Sequence, residues 1–254
     1  MAKTIIKPPL PILDRSNPLA RGLVGCWSFF ERGGTTLHDI SGKNNHGTLT
    51  NMNPATAWVR TPMGSGLNFD GVDDYVDCGL DSSLKFNSGN FTIEGWIKPI
   101  ATDGTRTIAA TYIDLNLGYF FGIYNGAIGY YSVGWKTGGA IIANQLQYAA
   151  ITVDSAGNYN FYINGVSAGS GSSALPVTGE ISFKIGAYSS GGGLGRFSGT
   201  MNNVRVYNCV LSNRQIAQLY ADPWAIYRTL PLYTMGSIPT IPTLRTLSLM
   251  GVGR

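Results

Sequence analysis

Leu67-Asn-Phe-Asp-Gly-Val-Asp-Asp-Tyr-Val-Asp-Cys-Gly79 is the stretch of sequence around which the fold is organised. Phe69 and Tyr75 each predict a short strand, because aromatic residues favour extended backbone. The acidic segment 70–74 between them is rich in residues that form tight turns. The stretch therefore predicts two strands joined by a bend. Its four aspartates within eight residues leave open a metal or acid–base site.

The composition favours an all-β protein and excludes several classes. Only 13% of the 254 residues are charged, while 34 are Gly and 14 are Tyr, a profile typical of a β-sandwich. The net charge of +4 comes from scattered residues, so no nucleic-acid partner is expected. Three widely spaced cysteines without a CxxC motif argue against a disulfide framework or a zinc site.

The sequence predicts neither a signal peptide nor a membrane partner. Residues 1–12 contain lysines and prolines but no long apolar run. No segment approaches the roughly 18 apolar residues that a membrane span requires. We therefore expect the protein to be made in the cytoplasm and to leave it only within a larger particle or by lysis.

Short-range signals predict an antiparallel meander closed by one helix. The Asn-Gly pairs at 125–126 and 164–165 are flanked by strand-like segments, which is the strongest sequence signal for a β-hairpin. Ser212 and Gln215 form a capping box for a helix that ends before Pro223.

We expect one domain at residues 19–223, between an extended N-terminal arm at 1–18 and an apolar C-terminal arm at 224–254. Residues 31–62, dense in Gly, Asn, Thr and Pro, are predicted to be loop. The C-terminal arm is proline-punctuated and almost uncharged, unlike a disordered tail. It should therefore lie on a surface, either of its own sandwich or of a neighbouring subunit. The residues expected to dock are Leu230, Leu232, Tyr233, Ile238, Ile241 and Leu244.

Six motifs occur in an order that resembles a known family. They are Leu23-Val-Gly-Cys-Trp-Ser-Phe29, Asp39-Ile-Ser-Gly with Asn45-His-Gly47, Leu67-Asn-Phe-Asp-Gly-Val-Asp-Asp-Tyr-Val76, Phe91-Thr-Ile-Glu-Gly-Trp-Ile-Lys-Pro99, Phe161-Tyr-Ile-Asn-Gly165 and Gly199-Thr-Met-Asn-Asn-Val-Arg-Val-Tyr-Asn208. Together they resemble the laminin-G-like (concanavalin A-like) jelly-roll domain. The resemblance implies an all-β sandwich of two antiparallel sheets, in which segment 70–74 is the bend that sets the strand order.

The resemblance leaves the function open, because such domains serve glycan binding, protein adhesion or passive structure. Leu219-Tyr-Ala-Asp-Pro-Trp-Ala-Ile-Tyr-Arg228 resembles versions of the domain that tailed bacteriophages encode as virion proteins. The leading hypothesis is therefore a non-enzymatic structural protein of the virion surface, a capsid decoration or tail component made in the host cytoplasm. Its expected partners are a major capsid or other virion protein and further copies of itself in a homo-oligomer.

A carbohydrate-binding or adhesion module is the alternative, with a cell-surface glycan as partner. Such a module would use exposed aromatic rings that stack on sugar faces. The candidate rings are Tyr112, Tyr130, Trp135 and Tyr188. The rings expected in the core are Trp27, Trp96, Phe161 and Phe183.

No cofactor is expected apart from the structural calcium that the family sometimes holds. The resemblance would place this ion on Asp39, the turn from Asn44 to Gly47, and Asn202. The family most often has Asp at the position of Asn202, so the site would lack one formal charge and bind more weakly. In the alternative interpretation, these polar groups only satisfy backbone hydrogen bonds.

A glycoside hydrolase is the least favoured alternative. Hydrolysis needs two carboxylates about 5 to 10 Å apart, which related enzymes commonly place as Glu-x-Asp-x-x-Glu on one strand. Glu31, Glu94 and Glu180 have no acidic neighbour two residues away, and Asp73 and Asp77 flank a bend. The sequence therefore predicts no enzymatic activity.

Overall fold

The computed structural model describes residues 12–87, 89–111, 117–188 and 195–228. The strands within them form two sheets that pack face to face. The first sheet contains β1 (Leu23–Trp27), β4 (Trp58–Thr61), β5 (Gly64–Asp70), β7 (Phe91–Pro99), β12 (Gln147–Val153), β13 (Asn158–Ile163), β14 (Val166–Ser172) and β16 (Ser198–Tyr207). The second contains β2 (Thr36–Leu37), β3 (Gly47–Thr50), β6 (Tyr75–Asp77), β8 (Thr105–Ala110), β9 (Phe120–Tyr124), β10 (Ala127–Tyr131), β11 (Trp135–Ala140) and β15 (Lys184–Ile185). The helices are α1 (Pro54–Ala57), α2 (Asn213–Ala221) and two 3-10 turns (Pro18–Ala20 and Ser82–Leu84).

The pairing of the strands confirms the predicted jelly-roll-like sandwich of antiparallel sheets. The first sheet has the order β14-β13-β12-β7-β16-β5-β4, with β1 beside the second half of β16. The order of the second sheet is β11-β10-β9-β8-β15-β6-β3-β2. Among the described residues, α2 is the one helix longer than a single turn, and no helix there is long and apolar enough to cross a membrane.

Both predicted Asn-Gly hairpins are present. Asn125-Gly126 joins β9 to β10 with φ values of 48° and 84°, and Asn164-Gly165 joins β13 to β14 with φ values of 50° and 78°. A tight hairpin turn of this kind requires positive φ at both central residues, which Asn and Gly adopt at least cost. The hairpins fix the register of the strands that they join.

The acidic bend carries the chain from one sheet to the other, because β5 belongs to the first sheet and β6 to the second. Asp70 Oδ1 accepts hydrogen bonds from the backbone N–H groups of Val72 (2.7 Å) and Asp73 (3.3 Å). Asp74 Oδ2 accepts one from the N–H of Asp70 (2.9 Å). The aspartates therefore hold the turn between the sheets.

The main core lies between the two sheets. Trp27, Phe161 and Phe183 are at most 1% exposed, as the sequence predicted. The rings of Trp27 and Phe183 stack with centroids 5.3 Å apart. The indole N–H of Trp27 donates to the carbonyl of Asn45 (2.8 Å), so this buried polar group is satisfied.

A second core covers the outer face of the first sheet. Helix α2 and residues 222–228 pack on apolar side chains of β7, β12 and β16. Trp96, also predicted to be buried, stacks on Tyr220 of α2 at 5.5 Å. At the centre, Arg205 Nε lies 2.5 Å from Glu94 Oε1, and neither side chain is exposed. The first residues of the C-terminal arm thus pack on their own sandwich. The docking residues Leu230, Leu232, Tyr233, Ile238, Ile241 and Leu244 lie outside the described residues.

Residues 31–62 contain more regular structure than the sequence predicted. Three strands, β2 to β4, and helix α1 lie in this segment. β3 pairs with β6, and β4 pairs with β5. These short strands lack a clear apolar alternation, so their pairing depends on the neighbours that receive them.

Candidate functional site

The outer face of the second sheet carries a cluster of aromatic side chains. Side chains along a strand alternate between its two faces. On β9, Phe121 and Ile123 lie in the main core, so Phe120, Gly122 and Tyr124 occupy the outer face.

Strand pairing and the chain after β15 bring three more rings to this face. Phe120 pairs with Tyr131 on β10, and Tyr131 pairs with Trp135 on β11, so their side chains are neighbours. The ring of Trp135 meets those of Phe120 and Tyr131 edge to face, with centroids 5.0 and 5.2 Å away. Tyr188, which follows β15, lies 6.2 Å from Phe120. We name Phe120, Tyr124, Tyr131, Trp135 and Tyr188 the aromatic platform.

Two glycines make room for the platform. Gly122 and Gly129 are directly opposite each other on β9 and β10, so this part of the face has no side chains. Trp135 and Tyr124 lie at opposite ends of this gap. Their rings stack with centroids 3.9 Å apart and an interplanar angle of 8°. A Cβ atom at Gly122 would lie 2.7 Å from Cζ of Phe120. Larger residues at these positions would therefore push the rings apart.

The platform combines a buried floor with partly exposed rings. Phe120 is 1% exposed, whereas the other four rings are half-buried. Tyr and Trp each combine an apolar ring with a hydrogen-bonding group at its edge. A sugar has the same division between apolar C–H groups and hydroxyls. The platform can therefore stack on a sugar ring and bond to its hydroxyls.

Two threonines and one lysine lie beside the platform. Thr105 is the cross-strand neighbour of Tyr124, and Thr137 is that of Gly129. Lys136 is the basic residue of β11, and its Nζ donates hydrogen bonds to two backbone carbonyls of the preceding turn (3.1 and 3.4 Å). The threonine hydroxyls suit an uncharged ligand, and the ammonium of Lys136 is bonded to the backbone.

The platform contains two of the four rings predicted to bind glycan, Trp135 and Tyr188. Tyr112 lies outside the described residues. The other three rings, Phe120, Tyr124 and Tyr131, were not predicted to bind glycan. They come together through the register of three strands, which a residue pattern does not reveal.

The expectation that Tyr130 is exposed was wrong. Tyr130 is 1% exposed and packs against the rings of Phe91 and Tyr159 in the main core (6.3 and 6.2 Å). Its burial raises the pKa of Tyr130 to about 12. Adjacent residues of a strand point to opposite faces, so Tyr131 takes the outer position.

Asp39 does not fit the calcium site that the family resemblance implied. Its Oδ1 accepts hydrogen bonds from the N–H groups of Cys26 and Ser41 (both 2.8 Å). Its Oδ2 accepts from the hydroxyl of Ser41 (2.8 Å) and the N–H of Asn45 (2.9 Å). Calcium needs surrounding oxygen ligands, whereas these donors turn hydrogens toward the carboxylate.

The remaining residues of the implied calcium site also have structural roles. Asn44 adopts a φ of 61°, a left-handed conformation that Asn tolerates. Gly47 has no room for a side chain, since a Cβ would lie 2.3 Å from Cγ1 of Val76. Asn202 Nδ2 donates to the carbonyl of Ser65 (2.6 Å). These contacts favour the alternative in which the polar groups satisfy the backbone.

The acidic bend contains a second group of carboxylates. Oxygens of Asp70, Asp73 and Asp74 lie within 4.8 Å of one another. Burial raises the pKa of Asp74, and the charges of the other two add to the rise, while the Asp70 N–H and Arg196 oppose it. Asp70 and Asp74 hold the turn through their carboxylate oxygens, so a structural role accounts for these two members of the cluster.

Each of the three glutamates contacts a basic side chain. Glu31 Oε1 lies 2.9 Å from His38 Nδ1, and Glu180 Oε1 lies 2.9 Å from Lys85 Nζ. Glu94 is the buried partner of Arg205 described above. All three thus have an ionic or hydrogen-bonding role within the fold.

The comparison with protein families agrees with this architecture. A family model described as the concanavalin A-like lectin/glucanases superfamily matches residues 70–217. The chain belongs to this superfamily. The matched segment begins in the acidic bend and includes the whole aromatic platform. No curated protein sequence matches the chain.

Solved structures with the same fold include proteins that bind ligands. Domain 4 of AbnA, an extracellular arabinanase from Geobacillus stearothermophilus solved with arabinotriose, is 23% identical with a TM-score of 0.63, and the match covers 78% of this chain and 98% of that chain. The binding domain of Paraclostridial Mosquitocidal Protein 1 is 15% identical with a TM-score of 0.60, covering 80% and 52%. The receptor-binding domain of botulinum neurotoxin D is 17% identical with a TM-score of 0.58, covering 80% and 53%. This chain thus spans about half of each toxin domain, and at these identities the likeness shows a shared fold.

Proposed function

We propose that this protein is a non-enzymatic carbohydrate-binding module that holds neutral glycans on its aromatic platform. The proposal rests on one observation, the meeting of five aromatic rings on the outer face of the second sheet. The rings supply stacking surfaces. The threonine and tyrosine hydroxyls beside them supply the few polar groups that orient a ligand.

The shape of the platform suits the interior of a glycan chain. Phe120, Tyr131 and Trp135 lie on three adjacent strands. Trp135 on β11 and Tyr188 after β15, on the other side of β9, lie 5.0 and 6.2 Å from the ring of Phe120. The rings thus reach across β9 and can contact consecutive sugar units.

The likeness to domain 4 of AbnA adds support, because that domain was solved with arabinotriose and the match covers 98% of it. Arabinan oligosaccharides are therefore the first ligands to test. The structural roles of the three glutamates support the non-enzymatic part of the proposal.

A glycan array that includes arabinotriose tests this function. The protein should bind at least one neutral oligosaccharide, with or without calcium. Trp135→Ala should weaken binding about tenfold, as expected for losing a stacking contact worth about 1.4 kcal/mol. The matched control is Trp58→Ala, since Trp58 is a half-buried tryptophan on the other sheet, and it should bind normally. A wild-type protein that binds no glycan under either condition would refute the proposal.

A structural protein of a bacteriophage virion, either a capsid decoration or a tail component, is the second candidate. It rests on the resemblance carried by residues 219–228 and on the apolar composition of residues 229–254. One contact favours it: Leu13 and Tyr227 form an antiparallel bridge, and the N–H of Arg228 donates to the carbonyl of Ile12 (2.8 Å). Residues 12–13 and 227–228 therefore lie side by side, and we infer that both termini attach together to a capsid protein or to further copies of the chain.

Deleting residues 229–254 tests this second candidate. The truncated chain should remain folded and keep any glycan binding, but it should lose oligomerisation and binding to virus particles. Light scattering and co-sedimentation with particles measure the two properties. If neither property changes, the C-terminal arm has no role in assembly and the candidate fails.

A further inference from the structure

A cleft of about 280 Å³ lies away from the aromatic platform. It is formed by the segment that follows β1 and by the segment that follows β2. The residues lining it are Ser28, Phe29, Phe30, Glu31, His38 and Ile40. None of them belongs to the platform, to the implied calcium site or to the acidic bend.

The carboxylate of Glu31 is only half satisfied. Its Oε1 accepts a hydrogen bond from the backbone N–H of His38 (2.7 Å) and lies 2.9 Å from Nδ1 of the His38 ring. Its Oε2 is shielded from solvent, and no group in the described part of the chain bonds to it. A buried oxygen without a hydrogen bond is costly. The last torsion of a Glu side chain is soft, so a small rotation can turn Oε2 toward a ligand in the cleft.

His38 offers a second acceptor next to this oxygen. When Nδ1–H of the neutral ring donates to Glu31, the other ring nitrogen, Nε2, is an acceptor. The side chain of His38 is 58% exposed, so a ligand can reach it. Glu31 and His38 can therefore accept hydrogen bonds from two neighbouring hydroxyls.

The backbone beside the cleft is strained. Phe29 has a φ of 53°, a conformation that bulky residues rarely adopt and that tends to occur at ligand sites. It buries the Phe29 ring in the main core. The half-buried ring of Phe30 instead meets Trp224 and Tyr227 edge to face, at 5.8 Å each. The strained residue thus lies where two adjacent aromatic rings at the cleft wall point in different directions.

We propose that this cleft binds a single monosaccharide unit, whose hydroxyls donate to Glu31 and His38. Its volume is near the lower limit for small-molecule sites, which suits one sugar ring. Phe30 and Ile40 line the cleft and provide apolar contacts for the C–H groups. The platform binds the interior of a chain, whereas this cleft takes one unit, and the two sites are independent.

Saturation-transfer NMR on the full chain tests this site with glucose, galactose, mannose, fucose and N-acetylglucosamine as separate probes. At least one sugar should give a signal. Glu31→Gln and His38→Ala should each weaken its binding roughly tenfold, because each removes an acceptor. Because the side chain of His38 is exposed, His38→Ala should not impair folding. Glu180→Gln, a change at an exposed glutamate, should leave the signal unchanged.

Three results would overturn the proposal. The first is the absence of a signal from every sugar. The second is a signal that Trp135→Ala abolishes and that neither cleft variant affects, which would place the sugar on the platform. The third is a signal from ethanolamine, added as a cationic probe, at the cleft without any sugar signal. That result would make the ligand a cation.

Discussion

Glu94 and Arg205 form an ion pair with no exposure to water, at the centre of the second core. Removing one partner leaves a buried charge without compensation, whereas replacing both with apolar groups of similar size is often neutral. We expect Glu94→Leu or Arg205→Met alone to lower the free energy of unfolding by about 3 to 5 kcal/mol, and the double variant to lie within about 1 kcal/mol of wild type. Urea denaturation measures all three. Losses that simply add in the double variant would show that the two charges are not coupled.

The same pair predicts a dependence of stability on pH. Burial raises the pKa of Glu94 to about 7, although Arg205 acts to lower it. The pKa of an unfolded glutamate is about 4.3, so between these values the folded state binds the additional proton. The contribution of Glu94 to stability is therefore complete below about pH 4.3 and decreases as the pH rises to about 7.

Urea denaturation at pH 5 and pH 8 checks this sign. The loss of stability between the two values should be smaller in the Glu94→Leu/Arg205→Met variant than in wild type. An identical loss in both proteins would mean that other groups cause the pH dependence.

At the scale of elements, the hairpin between β9 and β10 places three of the five platform rings. Gly126 in its turn has a φ of 84° and open space around it. Gly126→Ala should therefore cost about 1 to 2 kcal/mol through backbone conformation alone. Gly33 also has open space, but its φ is not positive, so Gly33→Ala should be close to neutral. Thermal denaturation compares the two variants, and equal stability would contradict the conformational explanation.

The elements that the sequence predicted best are those whose signal is local. The two Asn-Gly turns and the capping box at Ser212 depend on a few adjacent residues, and the structure contains all three. The short strands β2 to β4 depend on partners distant in the chain, so residues 31–62 resembled loop. The choice between Tyr130 and Tyr131 failed for a similar reason. Aromatic residues occur on both faces of β10, and only pairing shows which face is covered.

At the scale of the whole molecule, the fold was predictable and most of the candidate site was not. The ordered motifs and the acidic bend identify the sandwich, and the matching family model covers residues 70–217. The platform depends on cross-strand register and on the space left by Gly122 and Gly129. In the sequence alone, Phe120 and Tyr131 are indistinguishable from core residues. The composition of the C-terminal arm left its docking surface open between its own sandwich and a neighbouring subunit, and only the structure shows that residues 222–228 pack on the first sheet.

Affinity electrophoresis measures whether the platform binds neutral glycan chains. Wild type, Trp135→Ala and Trp58→Ala are run in native gels containing arabinan, xylan, galactan or β-glucan. We expect at least one polysaccharide to retard wild type and Trp58→Ala equally, and to retard Trp135→Ala much less, in line with a roughly tenfold loss of affinity. Equal migration of all three proteins in every gel, or equal retardation of wild type and Trp135→Ala, would contradict it.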